Sequence, residues 1–261
     1  MDLQKILGSV RRAVETYNMI EDGDRVGVGL SGGKDSLVLL KALSAYRRFS
    51  PAKFELFAYT IDLGLDGADY RSLVDFCAAE NVPYRIERTD IGKIIFEVRR
   101  EAHPCSLCSK MRRGALNTTM KEHGCNKLNS LLVGDGVNKL ALGHHADDLA
   151  ETFLLSAFYE GRLSTFAPIN AMERTGVTLI RPLILTYEKN IAAYARAAEL
   201  PVVKNPCPAN HETQREYVKN LIKSVQKDIP IAKDRLVAAI INADRYNLWD
   251  KYPVFKARND K

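Results

Sequence analysis

Cysteine is scarce, with five in 261 residues. An odd and small number cannot build the disulfide framework of a small secreted scaffold, so thiols, a metal or a cluster are the expected uses. Long apolar runs are missing too: nothing approaches the roughly 18 uncharged residues of a spanning helix. The opening MDLQKILGSVRRAVE places charges where a signal peptide needs an apolar stretch. A cytoplasmic chain without a membrane partner is therefore expected. No solenoid-type repeat occurs; Asn-Lys-Leu appears at 126–128 and again at 138–140, bracketing an insertion-like stretch, 129–137, of no assigned role. With 16 glycines and 10 prolines the chain is neither collagen-like nor low-complexity, and 46% apolar with 27% charged residues suits a soluble globular protein.

The formal charge is +6, and its distribution says more than its total. Residues 201–261 carry 12 Lys/Arg against 7 Asp/Glu, and residues 97–121 carry 6 against 2. Two basic stretches suit a polyanion such as RNA, because neutralising phosphates is the sequence-independent part of that binding. A solvated face accounts for the charge equally well.

Apolar residues at positions 3, 6, 7, 10, 14 and 17 predict an amphipathic leading helix, stopped by Asp22-Gly23-Asp24. Arg25 to Leu30 is a short strand running into Ser31-Gly-Gly-Lys-Asp-Ser36 and then a helical pattern. Strands at Phe54–Ile61, Tyr84–Glu87, Lys139–Leu142 and Thr178–Ile180 alternate with helices at Tyr70–Glu80, Ala146–Glu160 and Glu188–Glu199. This alternation predicts an α/β fold with a doubly wound, mostly parallel sheet. Beyond the Pro206-Cys207-Pro208 turn, residues 212–249 read as two helices separated near Pro230, a C-terminal helical appendage. The expected division is an N-terminal helix at 1–22, a nucleotide-binding domain at 23–200 and a helical segment at 201–261.

A glycine loop between a parallel strand and a helix offers unpaired backbone N–H groups and the positive dipole end to an anion. In SGGKDS, Gly32 and Gly33 let the backbone approach phosphate, Lys34 supplies a cation, and the Ser31 and Ser36 hydroxyls can donate. Asp35 can orient the loop or help hold a divalent metal such as Mg²⁺. Two rival motifs fail on spacing. Gly27-Val-Gly29-Leu-Ser-Gly32 lacks the strand-end acid about 20 positions later that a dinucleotide fingerprint needs. The Walker pattern would require a glycine where Val28 stands and Ser/Thr where Asp35 stands.

The carboxyl ends of parallel strands face one crevice. Gly143-His-His-Ala-Asp-Asp148 and the end of the second strand at Ile61 are therefore expected beside the same ligand, with Gly143 passing close to the nucleotide and Asp148 binding metal or positioning the base. Helix capping alone would also explain the aspartates. Cys105-Ser-Leu-Cys108 could be half a zinc site, a redox pair or part of an iron–sulfur site; zinc comes first on spacing alone, with His103, His123 or Cys125 as further donors. Nearby Arg112 and Arg113 favour thiolates. Cys207, between prolines, is poorly placed for a core and is a candidate third ligand. Three cysteines can hold a four-iron cluster and leave one iron open to sulfide. Cys77, with Leu73 and Val74 on one helical face, is expected in the core, and Cys125 is unassigned.

SGGKDS directly after the first strand resembles the PP-loop ATPase superfamily, whose fold is adenine nucleotide alpha hydrolase-like and whose members split ATP into AMP and pyrophosphate. GHHADD followed by Glu-Thr, and Arg181-Pro-Leu183, resemble its tRNA-thiolating branch. Pro104-Cys-Ser-Leu-Cys108, together with these in order, resembles the tRNA 2-thiocytidine synthetase (tRNA-cytidine 2-sulfurtransferase) family over roughly residues 20–225. The resemblance implies ATP, Mg²⁺ and a [4Fe-4S] cluster on Cys105, Cys108 and Cys207; position 210 is Asn where many members carry another cysteine. It implies that Ser31 to Ser36 hold pyrophosphate and that Lys34, Asp35 and Asp148 serve catalysis. The O2 of a tRNA pyrimidine, cytidine 32 by resemblance, would be adenylated and replaced by sulfur. The partners implied are tRNA and a sulfur donor, sulfide or a persulfide carrier, with a homodimer allowed for. The rivals are thiolation of a tRNA uridine, an amine-adding relative, and a non-catalytic nucleotide-binding iron–sulfur or zinc sensor.

Overall fold

The computed structural model of the chain describes residues 2–99, 104–117, 136–172, 176–203, 206–208 and 214–242, with the side chains at 105, 106, 113, 116 and 117 also outside the description. The 129–135 part of the insertion-like stretch, His103, His123 and Cys125 lie outside it.

Helix α1 (Leu3–Thr16) begins where the Asp2 carboxylate accepts from the Gln4 amide, and it buries Ile6, Leu7, Val10, Ala13 and Val14 on one face. It ends before the expected Asp-Gly-Asp stop, because Asn18 turns the chain in the left-handed region at φ 48°. Asp22 and Gly23 instead fasten the entry to the sheet, accepting from and donating to the Lys53 backbone at 2.7 Å each.

The sheet strands are β1 (Arg25–Gly29), β2 (Glu55–Asp62), β3 (Tyr84–Arg88), β4 (Lys139–Ala141), β5 (Ile169–Met172) and β6 (Val177–Ile180), arranged β3-β2-β1-β4-β6-β5. Every pairing is parallel except β5 with β6. The chain therefore runs from β1 outward to β3, then returns across β1 to β4. That reversal between β1 and β4 is a topological switch point, where the carboxyl ends of an open α/β sheet leave a crevice. Val28 pairs with both Ala58 and Ala141, so the segments after β1, β2 and β4 emerge side by side. Strand β5 escapes the sequence reading. It is a four-residue edge strand with two exposed residues, held by its antiparallel neighbour rather than by an apolar pattern.

Helix α2 (Lys34–Tyr46) is buried on nearly all sides, so its apolar residues show no single stripe. Helix α3 (Arg71–Ala79) buries Leu73 and Cys77, as expected for Cys77. A short helical turn, α4 (Ile91–Lys93), widens into a π-helical turn at Ile94–Val98. Helix α5 (Pro104–Asn117) starts at a proline, whose missing N–H costs nothing at a helix N-terminus. Helices α6 (Ala146–Glu160), α7 (Glu188–Ala197), α8 (Gln214–Asp228) and α9 (Ala232–Ile241) complete the described elements. One apolar cluster takes in α1, α2 and the sheet together with Val218, Ile222 and Val237, so the C-terminal helices share the main core; α8 and α9 both lie against α6.

Candidate active site at the carboxyl edge of the sheet

The SGGKDS loop is braced by its own serines. Ser36 Oγ accepts from the Ser31 amide at 3.1 Å and donates to the Gly33 carbonyl at 2.9 Å. Gly33 is the N-cap of α2 and supplies no side chain to the helix's first amides, which leaves that end suited to an anion. Gly32 sits at φ 80°, and a Cβ there would come within 2.9 Å of Val203 Cβ. The Gly32 carbonyl also accepts from the Val203 amide at 3.0 Å. The segment leading to Cys207 is thereby tied to the loop, and four backbone steps keep the Cα of Cys207 within about 15 Å of Val203.

Gly143 makes the second close approach. A Cβ on it would lie 3.1 Å from the Asp35 carbonyl carbon and 3.2 Å from the Ser36 amide nitrogen, so the turn after β4 packs directly on the start of α2. The structure brings the two glycine-containing motifs together. His145 caps α6: its Nδ1 accepts from the Asp148 amide at 3.3 Å, and Asp148 Oδ2 accepts from the His145 amide at 3.0 Å. With Nδ1 accepting, Nε2 carries the proton in neutral His145, and it stands 3.7 Å from Asp35 Oδ1. That buried Asp35 oxygen makes its closest polar contact with Lys34 Nζ, at 3.1 Å.

Charges converge here from elements far apart in sequence. Lys34 Nζ is 3.1 Å from Asp35 and 3.0 Å from Glu188 Oε1. Burial by itself would lower the Lys34 pKa, but Asp35 and Glu188 outweigh it and raise it. Arg215 of α8 reaches Asp148 at 3.4 Å, Glu151 at 3.1 Å and the Thr152 hydroxyl at 3.1 Å. Asp147 is buried and structural: one oxygen accepts from the Glu188 amide at 2.6 Å and caps α7, while the other pairs with Lys233 of α9 at 2.5 Å. His144 lies against Phe166, ring centroids 5.1 Å apart, and the Arg181 guanidinium covers the same phenyl ring at 4.8 Å. Burial pulls the His144 pKa down to about 4, so its imidazole is neutral at physiological pH. Its Nδ1 is buried without a partner.

Ile61 is buried near the end of β2 in a small cluster with Ile91 and Ile95, against which Leu107, Cys108 and Met111 of α5 pack. Cys108 thus sits half-buried at the same edge of the sheet as the loop. Cys105 lies in the first turn of α5, and its side chain is outside the described residues. Cys207 is half-buried. Among the described residues no three His, Cys, Asp or Glu side chains stand grouped for a metal ion. The donors nevertheless fit their expected groups by chemistry. The Asp35 carboxylate, paired here with Lys34, offers hard oxygen donors that suit a divalent cation, and the Cys108 thiol at this sheet edge is a soft donor that suits an iron–sulfur group.

Sequence reasoning missed Glu188, Lys219, Arg215, Asp147 and Phe166. Each acts across 14 or more residues, and only the i,i+4 spacing of Arg215 and Lys219 in the basic C-terminal stretch offered a signal.

A family model described as the PP-loop domain matches residues 6–225. The chain is 38% identical over 251 residues to a tRNA-cytidine(32) 2-sulfurtransferase of Geobacter metallireducens, covering 95% of this chain and 93% of that protein. It is equally similar to the protein of that name from Geotalea daltonii, at 38% identity and 95% of each chain. Among solved structures it is similar to the U34-tRNA thiolase NcsA of Methanococcus maripaludis with its [4Fe-4S] cluster. The TM-score is 0.70 and the identity 25%, over 92% of this chain and 79% of that one.

Proposed function

The chain belongs to the PP-loop family, in its tRNA-cytidine(32) 2-sulfurtransferase branch, and from that premise we propose how its residues divide an adenylation and a sulfur transfer between them. It is an ATP-using tRNA sulfurtransferase. The observation that carries the reading is the packing of Gly143 on Asp35 and Ser36, which sets the motif after β4 against the phosphate loop at the switch point.

The amides at the start of α2 and Lys34 receive the ATP polyphosphate, and the positive helix end and the ammonium stabilise charge developing on departing pyrophosphate. The pyrimidine O2 attacks the α-phosphorus; the new O2–Pα bond forms as the bond from Pα to the bridging oxygen breaks, and pyrophosphate carries that electron pair away. Asp35 and Asp148 are the residues assigned to hold Mg²⁺, which would offset phosphate charge and polarise the α-phosphate. Asp148 also fixes Arg215 and the start of α6. Ser31, Gly32 and Gly33 shape the loop around the phosphates, Ser36 holds that shape, and Ile61 with Gly143 forms the walls on either side. Cys105, Cys108 and Cys207 would hold a [4Fe-4S] cluster, which supplies an iron without a protein ligand for sulfide. Sulfide attacks C2, the new C2–S bond replaces the C2–O2 bond, and AMP leaves with the original O2; a persulfide carrier supplies the same sulfide once an external thiol reductant has given its S–S bond two electrons. The loop position of the target fits a pocket, because an unpaired base reaches it without breaking a pair.

The basic residues of 201–261, with α8 against the site, are assigned to gripping tRNA phosphates. The test is nucleoside mass analysis of unmodified tRNA after incubation with ATP and sulfide, using anaerobically reconstituted protein. 2-Thiocytidine at position 32 that requires ATP is expected. 2-Thiouridine would support the uridine reading, and no thionucleoside despite an intact cluster would end the proposal.

A further inference from the structure

Glu188 is the first residue of α7, and its carboxylate lies between two lysines from distant parts of the chain. Lys34 is 3.0 Å from Oε1, and Lys219 of α8 is 2.9 Å from Oε2. Its backbone is fixed from the other side, since the Glu188 amide donates to buried Asp147 at 2.6 Å. All three charged side chains are largely withdrawn from water, at 22% exposure for Glu188 and 30% for each lysine, so these ion pairs are less screened than surface pairs.

Lys34 therefore already has two carboxylates, Asp35 and Glu188, and a polyphosphate drawn to this ammonium meets a competing anion. Asp35 is its sequence neighbour on the same helical turn. Glu188 differs in holding a second cation, so it can give up Lys34 without being left as an uncompensated, partly buried charge. Lys219 in turn lies one helical turn from Arg215, which grips Asp148 and Glu151, with Val218 buried between them.

We propose that Glu188 is a positioning residue of the nucleotide site: it competes with the polyphosphate for Lys34, and it yields Lys34 by retaining Lys219, so that nucleotide binding is coupled to the attachment of α8. This rests on reading SGGKDS as the ATP loop. The coupling runs through one carboxylate with two partners and needs no movement of the glycine loop itself.

The experiment is calorimetric titration of the full chain with α,β-methylene-ATP and Mg²⁺, comparing the wild type with Glu188→Gln, Lys219→Met, Lys219→Arg and the Glu188→Gln/Lys219→Met pair. Removing the competing charge should tighten binding about fivefold in Glu188→Gln, the scale of one partly exposed ion pair. Lys219→Met leaves Glu188 with Lys34 alone and should weaken binding about fivefold. Lys219→Arg should restore wild-type affinity, and the double variant should bind like Glu188→Gln. Opposite signs for the two single variants, with the Lys219 effect abolished in the double, are not produced by simple loss of packing. Equal or weaker binding by Glu188→Gln overturns the inference, as does a Lys219→Met penalty that persists in the double variant, which would make Lys219 a direct phosphate ligand. If Lys219→Met does not fold, Glu188→Gln still decides: tighter binding supports the inference, and equal or weaker binding overturns it. A wild type that does not bind the analogue overturns the ATP-loop reading and the inference with it.

Discussion

At the scale of single residues, one glycine, one histidine and one glutamate carry the sharpest consequences. Gly32 is constrained twice, by φ 80° and by Val203 at 2.9 Å from a would-be Cβ. Gly32→Ala should cost about 2 kcal/mol of stability, read as a lowered urea midpoint. His144 supplies a pH signature. Its pKa falls from 6.5 to about 4 because burial disfavours the imidazolium. Between those values the unfolded chain binds more protons than the folded one, so stability rises with pH across the window and is lost as pH falls from about 6.5 toward 4. Unfolding free energies measured at pH 7 and pH 5 should therefore drop more in the wild type than in His144→Gln; an equal drop would show that His144 is not the group responsible. Glu188 behaves differently. Burial, its largest single influence, would raise its pKa, yet Lys219 and Lys34 outweigh this and hold it near 2. Its ion pairs are complete above the ordinary carboxylate pKa and fail only as pH falls toward that value.

At the scale of elements, the local motifs were legible and the long-range charges were not. Strand-loop-helix at 25–46 could be read because glycine spacing and apolar runs are local signals, and the structure puts β1, the loop and α2 there. The two C-terminal helices flanking Pro230 were legible for the same reason. Strand β5 was not, because its hold comes from β6. Asp147 and Asp148 are adjacent and chemically alike, yet one is a buried staple for α7 and α9 and the other faces Arg215. No spacing rule separates them, since the difference is set by elements 40 or more residues away. The thiol pair was legible as a pattern, while the place of Cys108 beside Ile61 follows from the packing of α5 on the edge of the sheet. Helix α8 is held by Val218 and Ile222 in the core and by Arg215 on α6. Ile222→Ala should cost about 3 kcal/mol in urea unfolding. Arg215→Met should speed amide hydrogen exchange in α8 ahead of α1, which shares no ion pair with it; uniform acceleration across both helices would contradict that local anchoring.

At the scale of the whole molecule, α8 brings Arg215 and Lys219 to the nucleotide site and also carries exposed lysines of the basic C-terminal stretch. Lys223 and Lys227 are exposed on α8, one turn and two turns beyond Lys219. Replacing both with alanine should reduce the slope of log Kd for tRNA against log salt by about 2, one for each phosphate no longer neutralised. Binding of the ATP analogue should not change. A slope like that of the wild type would move the tRNA-binding face elsewhere.

The phosphate loop and Cys108 lie at one edge of the sheet, and an adenylation at the loop with sulfur transfer at the thiols predicts two separable half-reactions. The decisive measurement is a paired assay of Cys108→Ser under anaerobic conditions with ATP and unmodified tRNA, following pyrophosphate and 2-thiocytidine together. Pyrophosphate release that still depends on tRNA, with no 2-thiocytidine formed, is the expected result. Thiocytidine at the wild-type yield would contradict it.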